Sequence, residues 1–415
     1  MLQNTKIMQF KKNMLYISTL SSPRVLDYLF RTSNNKPGLA VQKFHHLLVE
    51  GFAKNNEVSN VETLSSIPVI PSSHHKRIWN IKSETINNIH YNYIPIINVP
   101  VLKNIMVFTY SFFKILRWNL SKKRNTKIVI CDVLILTLTA SAVFACKITG
   151  TKVIAIVTDL PGLMISGANI KKKFINNIYD TLVPNILSKF DGYILLTEQM
   201  NSIVNPKHLP YIVMEGLVDI EMASTINSLE NKASERILIY SGIIFEKYGI
   251  KKLIDAFMKL EDDDLRLHIY GSGDMENDMP GYMIQDNRIK YKGLVPNVEM
   301  VQKQLEATLL INPRPSDDEY TKYSFPSKNM EYMVSGTPVV TTPLSGMPKE
   351  YYEFVYLFTN ESVDGIFETL KHLLNKPNQE LHDFGNKAKE FVLTNKSNYI
   401  QAGRIINFLT HQHFQ

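Results

Sequence analysis

Residues 320–340 read "YTKYSFPSKNMEYMVSGTPVV", a loop, a short helix and a buried strand in succession. Pro326 suits the first turn of the helix, where its missing N–H would have had no partner, and Gly336 followed by Pro338 stops it. Ser327, Lys328 and Glu331 are spaced i, i+1 and i+4 and share one face, while Met330, Met333 and Val334 fall on the other. The polar face therefore accompanies the amino end of the helix, where free N–H groups and the positive end of the dipole favour a phosphate. Glu331, one turn deeper, is spaced for a ribose hydroxyl. The same residues also suit an ordinary capped helix with a surface Glu–Lys pair.

Outward from this stretch, apolar runs alternate with amphipathic ones along the whole chain. "MLYIS", "KIVICDVLIL", "KVIAIVTDL", "GYILLT" and "YIVME" are continuous and rich in β-branched residues, as strands covered on both faces should be. "AVQKFHHLLVEGFAK" and "TASAVFACKI" between them read as helices, so a parallel sheet with right-handed crossovers is expected. The polar stretch at 219–236 breaks the pattern, and a second alternating unit begins with "ILIYSG" and runs to "FVYLF". The expected organisation is two doubly wound α/β domains, 1–222 and 236–395, a linker at 223–235, and a helix at 396–415 that can pack back on the first domain. In such sheets ligands sit at the carboxyl ends of the strands.

At 415 residues the chain exceeds what one core usually holds, which agrees with two domains. Cys131 and Cys146 lie in apolar runs and read as buried free thiols of a reducing compartment. The net charge of +7 conceals a split: residues 1–220 hold 25 Lys+Arg and 12 Asp+Glu (+13), leaving 21 and 27 (−6) for the rest. "SKKRNTK" at 121–127 and "KKK" at 171–173 add to a field suited to an anionic surface. No helix-turn-helix, zinc spacing or aromatic platform accompanies the charge, so nucleic acid is not the expected partner. The run "VLILTLTASAVFAC" at 133–146 is shorter than the roughly 18–20 residues of a spanning helix, and the basic start "KKNMLYISTL" reads as a strand. A cytoplasmic protein touching a membrane without crossing it is expected. The apolar–basic run at 101–124 suits either docking on anionic lipid or one helix buried for most of its length, and burial is the expectation.

The run "FPSKNMEYMVSGTPVV" resembles the carboxy-terminal signature of glycosyltransferase family 4, which has the GT-B fold: two doubly wound Rossmann-like domains facing a central cleft. Glu331, Gly336, Pro338, Val339 and Val340 match, while Tyr323 stands where the family has its first glutamate. "INPRPSDDEYTKYSFPSK" is similar to a bacterial polysaccharide-assembly branch. "YSGIIFEKYGIKKLIDAF" at 240–257 also resembles the family, with Gly242 in its turn and Lys247 at the lysine that would neutralise a diphosphate. The usual arginine is Ile243, and Arg314 after "TLLIN" is the candidate to replace it, with Lys328 next. Gly271 and Gly273 of "IYGSGDME" would let backbone approach the ligand, and Leu294 lies in the loop that would face the base. Tyr323, Ser324, Phe325, Pro326, Ser327, Lys328 and Glu331 complete the donor side.

In the first half, "NNKPGLAVQKFHHLL" resembles the glycine turn and helix that border the acceptor. With "YIVMEGLVD" at 211–219, which recurs in the same branch, this makes Gly38, His45 and Glu215 acceptor-side candidates, although His45 also reads as a partly buried helix residue. Asp159 at a strand end can orient an acceptor hydroxyl or cap the next segment of chain. Asp262-Asp263-Asp264 lies at the entrance of a strand, the wrong end for a metal, and no zinc spacing exists, so no metal or other cofactor is expected. The resemblance implies a retaining transferase that moves a sugar from a nucleotide-sugar donor, UDP- ahead of GDP-, to a lipid-linked saccharide in surface polysaccharide assembly. A non-catalytic partner subunit, or a sugar-nucleotide epimerase or hydrolase of the same fold, are the alternatives.

Overall fold

The computed structural model describes residues 11–34, 39–160 and 181–410. The chain divides into two compact units, with boundaries at Glu215/Gly216 and Ser397/Asn398, so the residues from Asn398 onward belong to the first.

The first unit is built on strands β1 (Lys12–Ser18), β2 (Val58–Ser65), β3 (Glu84–Ile86), β4 (Ile89–Tyr93), β5 (Lys127–Asp132), β6 (Val153–Val157), β7 (Gly192–Leu195) and β8 (Tyr211–Val213). Among the described residues they form one sheet in the order β8-β7-β6-β5-β1-β2-β4-β3. Every pairing is parallel except β3 with β4. All five residues of β6 are buried, which is why such strands read as unbroken apolar runs. Its helices include α1 (Pro23–Thr32), α2 (Leu39–Lys54), α3 (Pro100–Ser121) and α4 (Leu136–Ile148).

The second unit runs β9 (Arg236–Ser241), α5 (Ile250–Met258), β10 (Leu265–Tyr270), β11 (Ile289–Gly293), α6 (Asn297–Glu306), β12 (Leu309–Asn312), α7 (Ser327–Ser335), β13 (Val339–Thr341), β14 (Tyr356–Leu357), α8 (Val363–Leu374) and α9 (Asn378–Lys396). Its sheet is wholly parallel, in the order β11-β10-β9-β12-β13-β14. Alternate residues of β9 separate the two faces. Leu238 and Tyr240 join Leu253, Phe257, Leu370 and Leu373 from α5 and α8. Ile237 and Ile239 join Met330, Met333, Val334 and Val392 from α7 and α9. Back in the first unit, α10 (Asn398–Thr410) packs on α2 so closely that a Cβ at Gly51 would lie 2.1 Å from the Asn398 carbonyl oxygen.

Three expectations change. The apolar run from Lys127 is a strand only to Asp132, whose carboxylate accepts from the Leu134 N–H (3.3 Å), and a helix starts at Leu136. The segment read as a linker, 223–235, lies inside the second unit because its polar groups find helix-end and loop carbonyls: Asn227 Nδ2 donates to Ser335 O (2.9 Å) and Lys232 Nζ to Leu305 O (2.8 Å). Helix α3 is not buried for most of its length. Only Val107, Ser111, Ile115, Trp118 and Asn119 are, because it meets the unit along a single stripe, where Ser111 and Ser141 share a hydrogen bond of 2.5 Å. No described helix is long and apolar enough to cross a membrane.

His268 on β10 makes this unit acid-sensitive. Burial first, then Lys292, Lys303 and Lys290, opposed by Glu235, push its pKa from 6.5 down to about 4. Its Nδ1 is buried without a hydrogen-bond partner among the described residues. Between those values the unfolded chain takes up a proton that the folded chain refuses, so stability present above pH 6.5 is lost as pH falls towards 4. The expected loss is about 1–2 kcal/mol once the half-exposed ring is discounted for screening. Melting curves of wild type and His268→Leu should diverge across that window, with the variant flatter.

Candidate functional site

In the second unit the strand order reverses between β9 and β12. The chain leaves β9 towards β10 on one side and β12 towards β13 on the other. Such a reversal leaves a crevice beyond the strand ends, where open α/β sheets take ligands. Helix α7 begins on that side and is tied to three strand ends. The Tyr332 hydroxyl accepts from Ser241 N (2.7 Å) and donates to Ser241 O (3.1 Å) at the end of β9. Asn312 Nδ2 on β12 donates to Asn329 Oδ1 (2.8 Å), and Asn329 Nδ2 donates to Thr341 Oγ1 on β13 (3.2 Å). Pro326 is the N-cap of α7, one position before the expected first turn, and no side chain caps the helix. The amino end therefore retains its capacity for an anion. Gly336 ends the helix as expected, at φ +79°.

Two cations collect at the same reversal. Arg314, just beyond β12, lies between two rings, its guanidinium carbon 4.9 Å from the Tyr248 centroid and 4.7 Å from that of Tyr320. Its Nε donates to the Tyr320 hydroxyl (3.1 Å), and its carbonyl accepts from the Thr342 hydroxyl. Lys247 Nζ stands 5.4 Å from the same Tyr248 ring and 5.6 Å from Phe245. Neither has a carboxylate partner among the described residues. What brings the two loops together is Gly249, at φ +80°, where a Cβ would sit 2.1 Å from the Pro313 carbonyl oxygen. Ile243, in the place of the usual arginine, is 52% exposed, so no charge is supplied there.

The other donor-side candidates surround these. Lys328 Nζ binds Glu331 Oε2 at 2.8 Å, the intrahelical pair that the spacing allowed. Burial lowers the lysine's basicity, but the Glu331 charge and hydrogen bond outweigh it and hold Lys328 above its ordinary pKa. Phe325 is buried against Tyr351 (5.1 Å), Pro326 is buried, Ser327 is exposed and Tyr323 half-buried. Ser324 Oγ is buried without a hydrogen-bond partner among the described residues. Leu294 is 68% exposed. The glycines of the strand turns admit protein backbone: a Cβ at Gly271 (φ +134°) would lie 1.7 Å from Gly242 O, and one at Gly273 would lie 2.5 Å from Ile244 O. Close packing of these two turns, rather than room for a ligand, is what Gly271 and Gly273 provide.

In the first unit the corresponding reversal falls between β5 and β1. His45, expected as a partly buried helix residue, is fully buried beneath it. The Tyr16 hydroxyl and His45 Nδ1 share a hydrogen bond of 2.6 Å, and His45 Nε2 lies 3.2 Å from Asp132 Oδ2, out of line for a good bond. Burial, reinforced by Asp132, raises the Tyr16 pKa well above normal, so the phenol stays protonated. Asp159 Oδ1 accepts from Leu160 N (2.9 Å), and Glu215 is buried. Gly38 lies outside the described residues. Among the described residues no three His, Cys, Asp or Glu side chains converge as metal ligands.

The sequence reading missed Asn329, Tyr332, Tyr248, Tyr320 and Asp132. A signal existed for the first two: polar groups three residues apart among Met330 and Met333, on the face that packs on the sheet. Replacing Asn329 by Leu strands the Asn312 amide and the Thr341 hydroxyl and should cost about 2–3 kcal/mol, against about 1–2 for Tyr332→Phe. Urea midpoints at an unchanged m-value would measure both.

Residues 222–391 match the family "Glycosyl transferases group 1". No curated protein sequence matches the chain. Similar solved structures include the "lipopolysaccharide outer core galactosyltransferase WaaB apo form", at 14% identity and a TM-score of 0.60, covering 96% of this chain and 99% of that one. Anabaena Alr3699/HepE in complex with UDP has 12% identity, a TM-score of 0.62 and the same coverages. Sucrose-phosphate synthase (tll1590) from Thermosynechococcus elongatus has 13% identity and a TM-score of 0.62, again covering 96% and 99%. The chain has the GT-B fold, and its residues 222–391 are similar to the glycosyl transferases group 1 family.

Proposed function

We propose that this protein is a retaining glycosyltransferase that moves a sugar from a UDP-sugar to a lipid-linked saccharide in surface polysaccharide assembly, at the cytoplasmic face of a membrane. The observation that carries the donor side is the meeting of Lys247, Arg314 and the uncapped start of α7 at the β9/β12 reversal, within the segment that matches the family. Charge develops on the departing diphosphate as the glycosidic bond to it breaks. Two fixed cations and a helix dipole that are already in place stabilise that charge without reorganising. Arg314 is held by two rings and a hydroxyl, which suits this work. Glu331 would accept from a ribose hydroxyl beside its pair with Lys328. UDP is favoured because HepE, of the same fold, was solved with UDP and with UDP and glucose. No metal is invoked, since the lysine, arginine and helix end supply the positive charge.

A non-catalytic partner subunit is the second reading, favoured by Glu331 being engaged by Lys328 and by the uncharged Ile243. UDP release from a panel of UDP-sugars, with a membrane lipid extract as acceptor source, separates the two. Release that needs the extract and survives EDTA is expected, with kcat/KM roughly 100-fold lower in Arg314→Ala. Restoring a cation by Ile243→Arg in that background should recover part of the loss. Absence of release from every donor favours the partner subunit.

A further inference from the structure

Helix α3 meets the first unit along one stripe and leaves its opposite side without a partner among the described residues. Leu102, Phe113 and Leu120, spaced by 11 and 7, fall on one line of that side and are 41%, 65% and 73% exposed. Ile105, 54% exposed, lies beside them. A charged surface runs along the same helix. Between Glu84 and Asp132 the sequence contains no acidic residue and seven basic ones. Three of the seven turn inward: Lys103 to Val69 O, Lys122 to Glu62 and Lys127 to Asn119 O. Lys114, Arg117, Lys123 and Arg124 have no carboxylate partner among the described residues. A groove of about 790 Å³ borders the helix and is lined by Pro95, Met106, Tyr110, Phe113, Lys114 and Arg117.

We infer that this face of α3 is the surface on which the protein docks to an anionic bilayer, with Leu102, Phe113 and Leu120 entering the acyl boundary and Lys114 and Arg117 meeting lipid phosphates. The surface demands a partner that is apolar and anionic at once, and a bilayer containing acidic lipid is both. Nucleic acid would satisfy the cations and leave the apolar line in water. A second copy would satisfy the apolar line and set cation against cation. The inference deepens the membrane-face part of the proposed function, yet it stands on the first unit alone.

The test is sedimentation of the full chain with phosphatidylcholine vesicles, with and without a third of phosphatidylglycerol, at low and high salt. Wild type should sediment only with the acidic vesicles, and less so as salt screens the charges. Lys114→Gln with Arg117→Gln should weaken binding roughly thirty-fold, at about fivefold per lost cation. Phe113→Asp with Leu120→Asp should abolish it. All four positions are solvent-facing, and melting curves would verify the fold. UDP binding, read in parallel, should be unchanged in every variant. Wild type left in solution, variants that sediment like wild type, preference for duplex DNA over vesicles, or a dimer that Phe113→Asp disperses would each overturn the inference. Vesicle binding without UDP binding would keep the surface and refute the donor site.

Discussion

Asn329 is fully buried with its amide between Asn312 on one strand and Thr341 on the next, and one turn on Tyr332 reaches Ser241 on a third. An amide or a phenol sealed among methionines is costly unless every polar atom is paired, so these bonds hold only when the helix sits in one register over the sheet. That register fixes where α7 starts. The uncapped end of the helix, the Ser241–Gly242 turn and the Asn312–Arg314 turn then meet at the strand reversal because three hydrogen-bond sets place them there. Apolar packing by Met330, Met333 and Val334 supplies most of the adhesion but is non-directional. The polar pairs choose the position.

The charge at this point comes from two loops. Ile243 supplies none, and Arg314 comes from the neighbouring strand end instead. Its guanidinium lies on two tyrosine rings, which attract a cation without neutralising it as a carboxylate would. Lys247 leans on one of the same rings. Two cations left in this state, sharing the Tyr248 ring, favour a multiply charged anion. Lys328 differs, because its charge is already balanced by Glu331.

The parts of the fold legible in the sequence were those written in local chemistry. Continuous apolar strands announced parallel sheets covered on both faces, and Gly336 announced the end of α7 to the residue. Lys247 and Arg314 were singled out through the resemblance, and they lie in the loops that follow β9 and β12. The tyrosines that hold Arg314 were not singled out, because Tyr248 belongs to a different loop far back in the chain and no local pattern links the two. Residues 223–235 looked like a linker because polarity reads the same whether groups face water or helix-end carbonyls. Helix α3 looked buried because its apolar residues cover nearly the whole circumference, and only the tertiary contact shows which stripe is used. His45 looked partly buried because a polar ring on a helix carries no sign of the buried phenol it binds.

The most direct measurement is a calorimetric titration of UDP into wild type, Lys247→Ala and Arg314→Ala, each with EDTA and with Mg²⁺. A diphosphate held by these two cations requires micromolar binding by wild type that is indifferent to Mg²⁺ and at least tenfold weaker in both variants, since each loses a charge-assisted contact worth about 1.5–3 kcal/mol. Binding that survives both substitutions unchanged would mean that the diphosphate lies elsewhere and that the meeting of the two cations at the strand reversal serves some other end.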